Sequence, residues 1–154
     1  MQAITPFLWF NDQAEDAMNY YVAIFPNSRV KNVTRYGENM PRPAGTVMTA
    51  NFELNGVEFV ALNGGPQFNF TEAVSFVVSC DTQAEVDRYW NSLTANGGQP
   101  SQCGWLKDKY GLSWQIVPKV LSELLTDKDQ AKAKRVTAAL MKMSKLDIAA
   151  LQNA

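Results

Sequence analysis

Few residues in this 154-residue chain have types and spacings suited to chemistry, and the most restrictive feature is that none of them is histidine. Ser-His and Cys-His nucleophilic relays are excluded, and so is every metal site with an imidazole ligand. Cys80 and Cys103 form no C-x-x-C pair, so small core hydrophobes are the simplest reading and a disulfide framework or zinc knuckle is disfavoured. Glu53 and Glu58 are the carboxylates that could serve as a general base. They flank Asn55-Gly56, which reads as a hairpin turn, and are expected at a sheet edge without the partial burial that tunes a base. Asp108, Lys109, Tyr110 and Gly111 read as a second hairpin turn rather than a reactive cluster.

Fourteen basic residues against fifteen acidic ones give a formal charge of −1, without the basic excess that phosphate-backbone binding requires. Nucleic acid is a poor partner. No run approaches the roughly 18 apolar residues of a membrane span, and a cytoplasmic protein is expected. With 46% apolar and 19% charged residues, the chain has the composition of a packed globule.

Gln-Ala-Glu occurs at residues 13–15 and again at 83–85, an offset of 70 (83 minus 13). The same offset aligns Thr5 with Ser75, Phe7 with Val77, Leu8 with Val78 and Tyr20 with Trp90, as expected of a duplicated unit. In each copy an apolar run, Ile4 to Phe10 or Val74 to Cys80, precedes a polar turn and a segment of helical period. Asp12 stands three residues before Glu15, and Thr82 three before Glu85. Both match a capping box, so the triplet reads as a helix start rather than a catalytic signature. Ala14, Ala17, Tyr21, Ile24 and Phe25 stripe the first helix, and Val86, Tyr89, Trp90 and Leu93 the second. Pro26 and Gly97-Gly98 close them.

Strands are expected over Ser28 to Tyr36, Thr46 to Leu54 and Val57 to Leu62 in the first copy, and over Gln102 to Leu106 and Leu112 to Pro118 in the second. The second copy is too short before Gln102 for a full third strand. Residues from Leu121 onward read as helical, with Val136, Leu140 and Met143 on one apolar face. Ser144 and Asp147 are spaced to cap a last short helix ending near Gln152.

Paired βαβββ modules opened by ITPFLWFNDQAEDAMNYYVAIF and AVSFVVSCDTQAEVDRYW resemble the glyoxalase/bleomycin-resistance, or vicinal-oxygen-chelate, superfamily over residues 4–118. FNDQAEDAMNYY, VALNGGP and CGWLKDKYGLSWQIVP look like its PhnB-like subfamily, often labelled 3-demethylubiquinone-9 3-methyltransferase. The resemblance implies an α+β fold in which two modules, residues 4–66 and 73–118, form a cup-shaped mixed β-sheet. A helical extension over residues 119–154 completes a single domain. It also implies one ligand site inside the cup, commonly with a divalent metal, and a homodimer. By motif the superfamily's metal-ligand positions fall on Thr5, Ala61, Ser75 and Gln115, which are neutral or apolar, so no metal is expected. The turn Asn11-Asp12-Gln13 lacks the glycines of an S-adenosylmethionine cradle, and no cofactor is expected.

If Thr5 faces the cup, strand alternation sends Phe7 and Trp9 there too. The same reasoning places Phe59, Ala61 and Asn63 from the fourth strand, Ser75 and Val77 from the second module's first strand, and Ser113 and Gln115 from the last strand in the lining. Trp105 stands as a lid, a wall or a core residue. Such a lining suits a small apolar or aromatic ligand. Metal-independent binding of that ligand is the leading expectation. An enzyme of unknown reaction, either the methyltransferase of the subfamily's label or a metal-dependent lyase, isomerase or dioxygenase, is the alternative from another class. A dimeric scaffold using the Met141 and Met143 region is a third.

Overall fold

The computed structural model describes residues 2–154, and the chain divides into two compact units, one up to Asn69 and one from Phe70 onward. In the first unit, β1 (Phe7–Phe10) is followed by α1 (Ala14–Ile24), then β2 (Arg29–Arg35), β3 (Val47–Leu54) and β4 (Val57–Asn63). The sheet order is β1-β4-β3-β2, with β1 parallel to β4 and the other pairs antiparallel. In the second unit, β5 (Ser75–Cys80), α2 (Gln83–Thr94), β6 (Gln99–Pro100), β7 (Trp105–Lys107) and β8 (Ser113–Pro118) repeat the plan as β5-β8-β7-β6. The seventy-residue echo is therefore a duplicated βαβββ module, and both sheets are four-stranded and mixed. The abbreviated strand is β6, two residues pairing Gln99 with Lys107 and Pro100 with Leu106.

Each sheet lays one face on its helix. Ala50, Phe52 and Leu54 of β3 are buried, and Tyr21 of α1 stacks on Phe52, which stacks in turn on Phe59 of β4. Asn55 and Gly56 both have positive φ, the geometry of a two-residue hairpin turn whose twist matches the strands. The turn fixes the register Leu54↔Val57, Glu53↔Glu58 and Phe52↔Phe59. In the second unit α2 buries Val86, Tyr89, Trp90 and Leu93, and Leu106, Trp114 and Ile116 are buried on the strands.

The two helix starts differ. Thr82 accepts Glu85 N–H at 3.2 Å, and the Glu85 carboxylate accepts Asp81 N–H at 2.7 Å, so this capping box forms. The expected box at Asp12 and Glu15 does not. Gln13 occupies the cap position without a side-chain bond, and the Asn63 side chain at the end of β4 accepts the Ala14 N–H at 2.8 Å. A tertiary amide has taken the place of the local cap. Likewise Ser144 does not cap the last helix; it donates to Ser101 O at 2.6 Å, and Asp147 caps by accepting Ala150 N–H.

The C-terminal helices α3 (Val120–Leu125), α4 (Gln130–Leu140) and α5 (Ile148–Gln152) enclose a core of Leu121, Leu124, Val136, Leu146 and Leu151. Met143 packs against that core, whereas Met141 is 65% exposed. Gln83 ties this extension to α2: its amide nitrogen donates to Leu146 O at 3.1 Å and its oxygen accepts Ile148 N–H at 2.8 Å. No helix of the described residues is long and apolar enough to cross a membrane.

Candidate functional site

Each sheet's second face, the one turned away from its own helix, holds the candidate chemistry. In the second unit the register Ser75↔Ser113, Val77↔Gln115 and Trp105↔Gln115 places all five residues on that face. Gln115 Nε2 donates to Ser75 Oγ at 2.9 Å, and Val77 beside them is 57% exposed. Ser113 is 1% exposed, and its Oγ has no hydrogen-bond partner among the described residues. Trp105 and Ser113 line a pocket of about 300 Å³ together with Glu72, Gln99, Pro100, Ser101, Leu106 and Lys107, and Lys107 pairs with Glu72 at its rim.

In the first unit the same face carries Phe7, 59% exposed, and Trp9. Trp9 is committed to the loop after β4: its Nε1 donates to Gly65 O at 2.9 Å, its ring meets Phe68 edge-on at 4.9 Å, and its indole lies over Gly64. Thr5 lines a smaller pocket of about 210 Å³ with Lys31, Asn32, Asn51, Glu58, Phe59 and Val60.

The structure corrects the expected lining on β4. Because Leu8 pairs with Ala61 and Phe10 with Asn63, both buried toward α1, it is Phe59, Ala61 and Asn63 that face the helix, and Glu58, Val60 and Leu62 that share the face of Phe7 and Trp9. Asn63 is structural: besides receiving Ala14 N–H it donates to Val47 O at 3.1 Å, and its own carbonyl accepts the Tyr36 hydroxyl at 2.5 Å. Glu53 and Glu58 are also not at a bare edge. They are cross-strand partners whose side chains are 17% and 21% exposed, with Arg29 Nε 2.9 Å from Glu53 and Lys31 bridging to both carboxylates. The Arg29 hydrogen bond holds the Glu53 carboxyl below the usual range, and Lys31 does the same for Glu58. A lowered pKa makes each a weaker base.

The residues missed from sequence are the charged ones that frame these faces, Lys31, Glu72 and Lys107. A third pocket, of about 470 Å³, opens beside the start of α1 and includes Asp12, Glu15, Asp16, Arg35 and Arg42. Asp108 is confirmed as a turn residue; its carboxylate accepts Tyr110 N–H, Leu112 N–H and Trp114 Nε1–H at 2.9, 3.1 and 2.9 Å.

The donors do not suit the superfamily's metal. Among the described residues no three of His, Cys, Asp and Glu gather in a metal-holding group. Ser75 and Gln115 offer only neutral oxygens, Ala61 is apolar, and Glu58 is paired with Lys31. The β1–α1 turn likewise offers no glycine-rich cradle for S-adenosylmethionine.

Residues 2–117 match the family model described as 3-demethylubiquinone-9 3-methyltransferase. The chain belongs to this family. A PhnB protein of Bacillus cereus, provisionally described as a 3-demethylubiquinone-9 3-methyltransferase, is 40% identical, with TM-score 0.70 over 76% of this chain and 99% of that one. Protein PA1353 of Pseudomonas aeruginosa is similar in structure, with 21% identity and TM-score 0.63 over 77% of this chain and 98% of that one. The fosfomycin resistance protein FosX of Mesorhizobium loti shares the fold at 13% identity, with TM-score 0.58 over 82% of this chain and 98% of its own. The family's fold here is thus the vicinal-oxygen-chelate fold, α+β with two four-stranded mixed sheets. No curated protein matches the chain.

Proposed function

We propose that this member of the 3-demethylubiquinone-9 3-methyltransferase family is a cytoplasmic homodimer that binds a small apolar or aromatic molecule without a resident metal. The observation that carries the reading is the second unit's helix-free face. There a polar pair that satisfies itself, Gln115 and Ser75, lies beside exposed Val77 and half-buried Trp105. An exposed apolar surface with a few fixed polar groups is what an orienting small-molecule site needs. Exposed Phe7 gives the first unit's sheet a surface of the same kind. The general-base alternative is weakened by the ion pairing of Glu53 and Glu58, and methyl transfer by the absence of a cofactor cradle. The scaffold reading loses Met143 to the C-terminal core.

Thermal-shift screening of the full chain against small metabolites, with chelator and with added Mn²⁺, Ni²⁺ or Zn²⁺, tests it. Stabilisation in chelator is expected, on the order of 2.7 kcal/mol at a hundredfold excess over Kd. Stabilisation that appears only with metal, or a stoichiometric divalent ion in the purified protein, overturns the metal-free reading. Light scattering decides the dimer.

A further inference from the structure

The pocket beside Trp105 contains two features that a purely apolar ligand would leave unused. Ser113 is almost fully buried, yet its hydroxyl lacks a partner, and buried hydroxyls in folded proteins are nearly always hydrogen-bonded. Its register partner across β7 and β8 is Lys107, on the same face, and the Lys107 ammonium contacts the Glu72 carboxylate. Glu72 lies in the short segment before β5, and its side chain is 60% exposed. An ion pair this exposed contributes little to stability, so exchanging one carboxylate for another at Lys107 costs little. Trp105 and Pro100 give the same pocket flat apolar walls.

Resting on the small-molecule reading above, we infer that the ligand is an aromatic carboxylate. Its anionic end takes the place of the Glu72 side chain at Lys107 and accepts the Ser113 hydroxyl, while its ring lies against Trp105. Glu72 is then a built-in competitor: it neutralises Lys107 when the pocket is vacant and swings out when the ligand arrives.

Full-length protein titrated with 1-naphthoate and its neutral isostere 1-naphthamide, at low and high salt, tests this. The readouts are calorimetry and the amide resonances of Trp105, Lys107 and Ser113. Naphthoate is expected to bind at least tenfold more tightly than naphthamide at low salt, with the preference shrinking as salt rises. Glu72→Gln should tighten naphthoate several-fold. Lys107→Met should abolish the preference while leaving naphthamide binding in place. Both substitutions are on exposed side chains and should leave the circular dichroism spectrum unchanged. Equal affinities for the two probes, or a preference that survives Lys107→Met, overturns the carboxylate assignment but leaves the small-molecule reading intact. Silence of both probes at these three resonances overturns the assignment, and the metabolite screen then decides the broader reading separately.

Discussion

The Asn63 side-chain oxygen accepts the backbone N–H of Ala14 at 2.8 Å, so the last residue of one strand caps the helix that begins 49 positions earlier. Replacing Asn63 with Ala removes that cap and leaves Val47 O without its donor. The expected cost is about 2–3 kcal/mol, read as a lower midpoint in urea unfolding with an unchanged slope. A midpoint within error of the parent would show that water replaces both bonds.

A Cβ on Gly64 would sit 2.4 Å from Cζ2 of the Trp9 indole. Gly64→Ala should therefore destabilise by roughly 1–3 kcal/mol through overpacking. Trp9→Leu has its own cost, but it frees the space the methyl needs, so the double variant should be more stable than the sum of the single effects implies. Strict additivity would mean that the loop, not the indole, yields.

Gln83→Ala cuts both Gln83 hydrogen bonds to the chain around Leu146 and Ile148 and leaves the Asp87–Lys145 ion pair in place. Hydrogen exchange should report it locally: the Ile148 amide loses protection at least tenfold while amides of the β5–β8 ladder keep theirs. Equal loss at both places would make the C-terminal helices part of one cooperative unit with the sheet.

Acid stability should depend on Glu53 and Glu58. Arg29 and Lys31 lower their folded pKa values, so the stabilisation is complete above the ordinary glutamate value of about 4.3 and is lost as pH falls through the lower folded values. Below that ordinary value, Glu53→Gln and Glu58→Gln should each flatten the pH dependence of the unfolding midpoint. Parallel curves for variant and parent would assign the acid limb to other groups.

Burial raises the Cys80 thiol to about 11. At pH 8 that leaves about one thiolate in a thousand, so native Cys80 should resist a thiol reagent while half-exposed Cys103 reacts. Cys103→Ser should remove the fast-labelling thiol, leaving Cys80 to label only on unfolding. Fast labelling of that variant would place Cys80 within solvent reach.

The fold was legible because its signals are local and repeated. Apolar runs, helical stripes and the Asn55-Gly56 turn recur in order, and the observed strands fall within a few residues of the expected ones. The face of β4 was legible too, from a signal outweighed by motif alignment: a two-residue turn forces Phe52 and Phe59 onto one face and Glu53 and Glu58 onto the other. What no local pattern carries is the charged framing. Lys31 joins two glutamates across a bulged strand pair, and Lys107 meets Glu72 from a segment without regular structure. The cap from Asn63 was hidden for the same reason, since its partner lies far away in sequence and a plausible local cap stood closer.

The tie from Gln83 also sets an order of events during synthesis. The first unit's strands and its helix cap are all in hand once Asn69 has emerged, so that sheet can close while the rest is still being translated. The hydrogen bond from Ile148 to Gln83 forms only when a residue 65 positions beyond Gln83 has emerged. Two copies of one module thus complete their contacts at different points of synthesis.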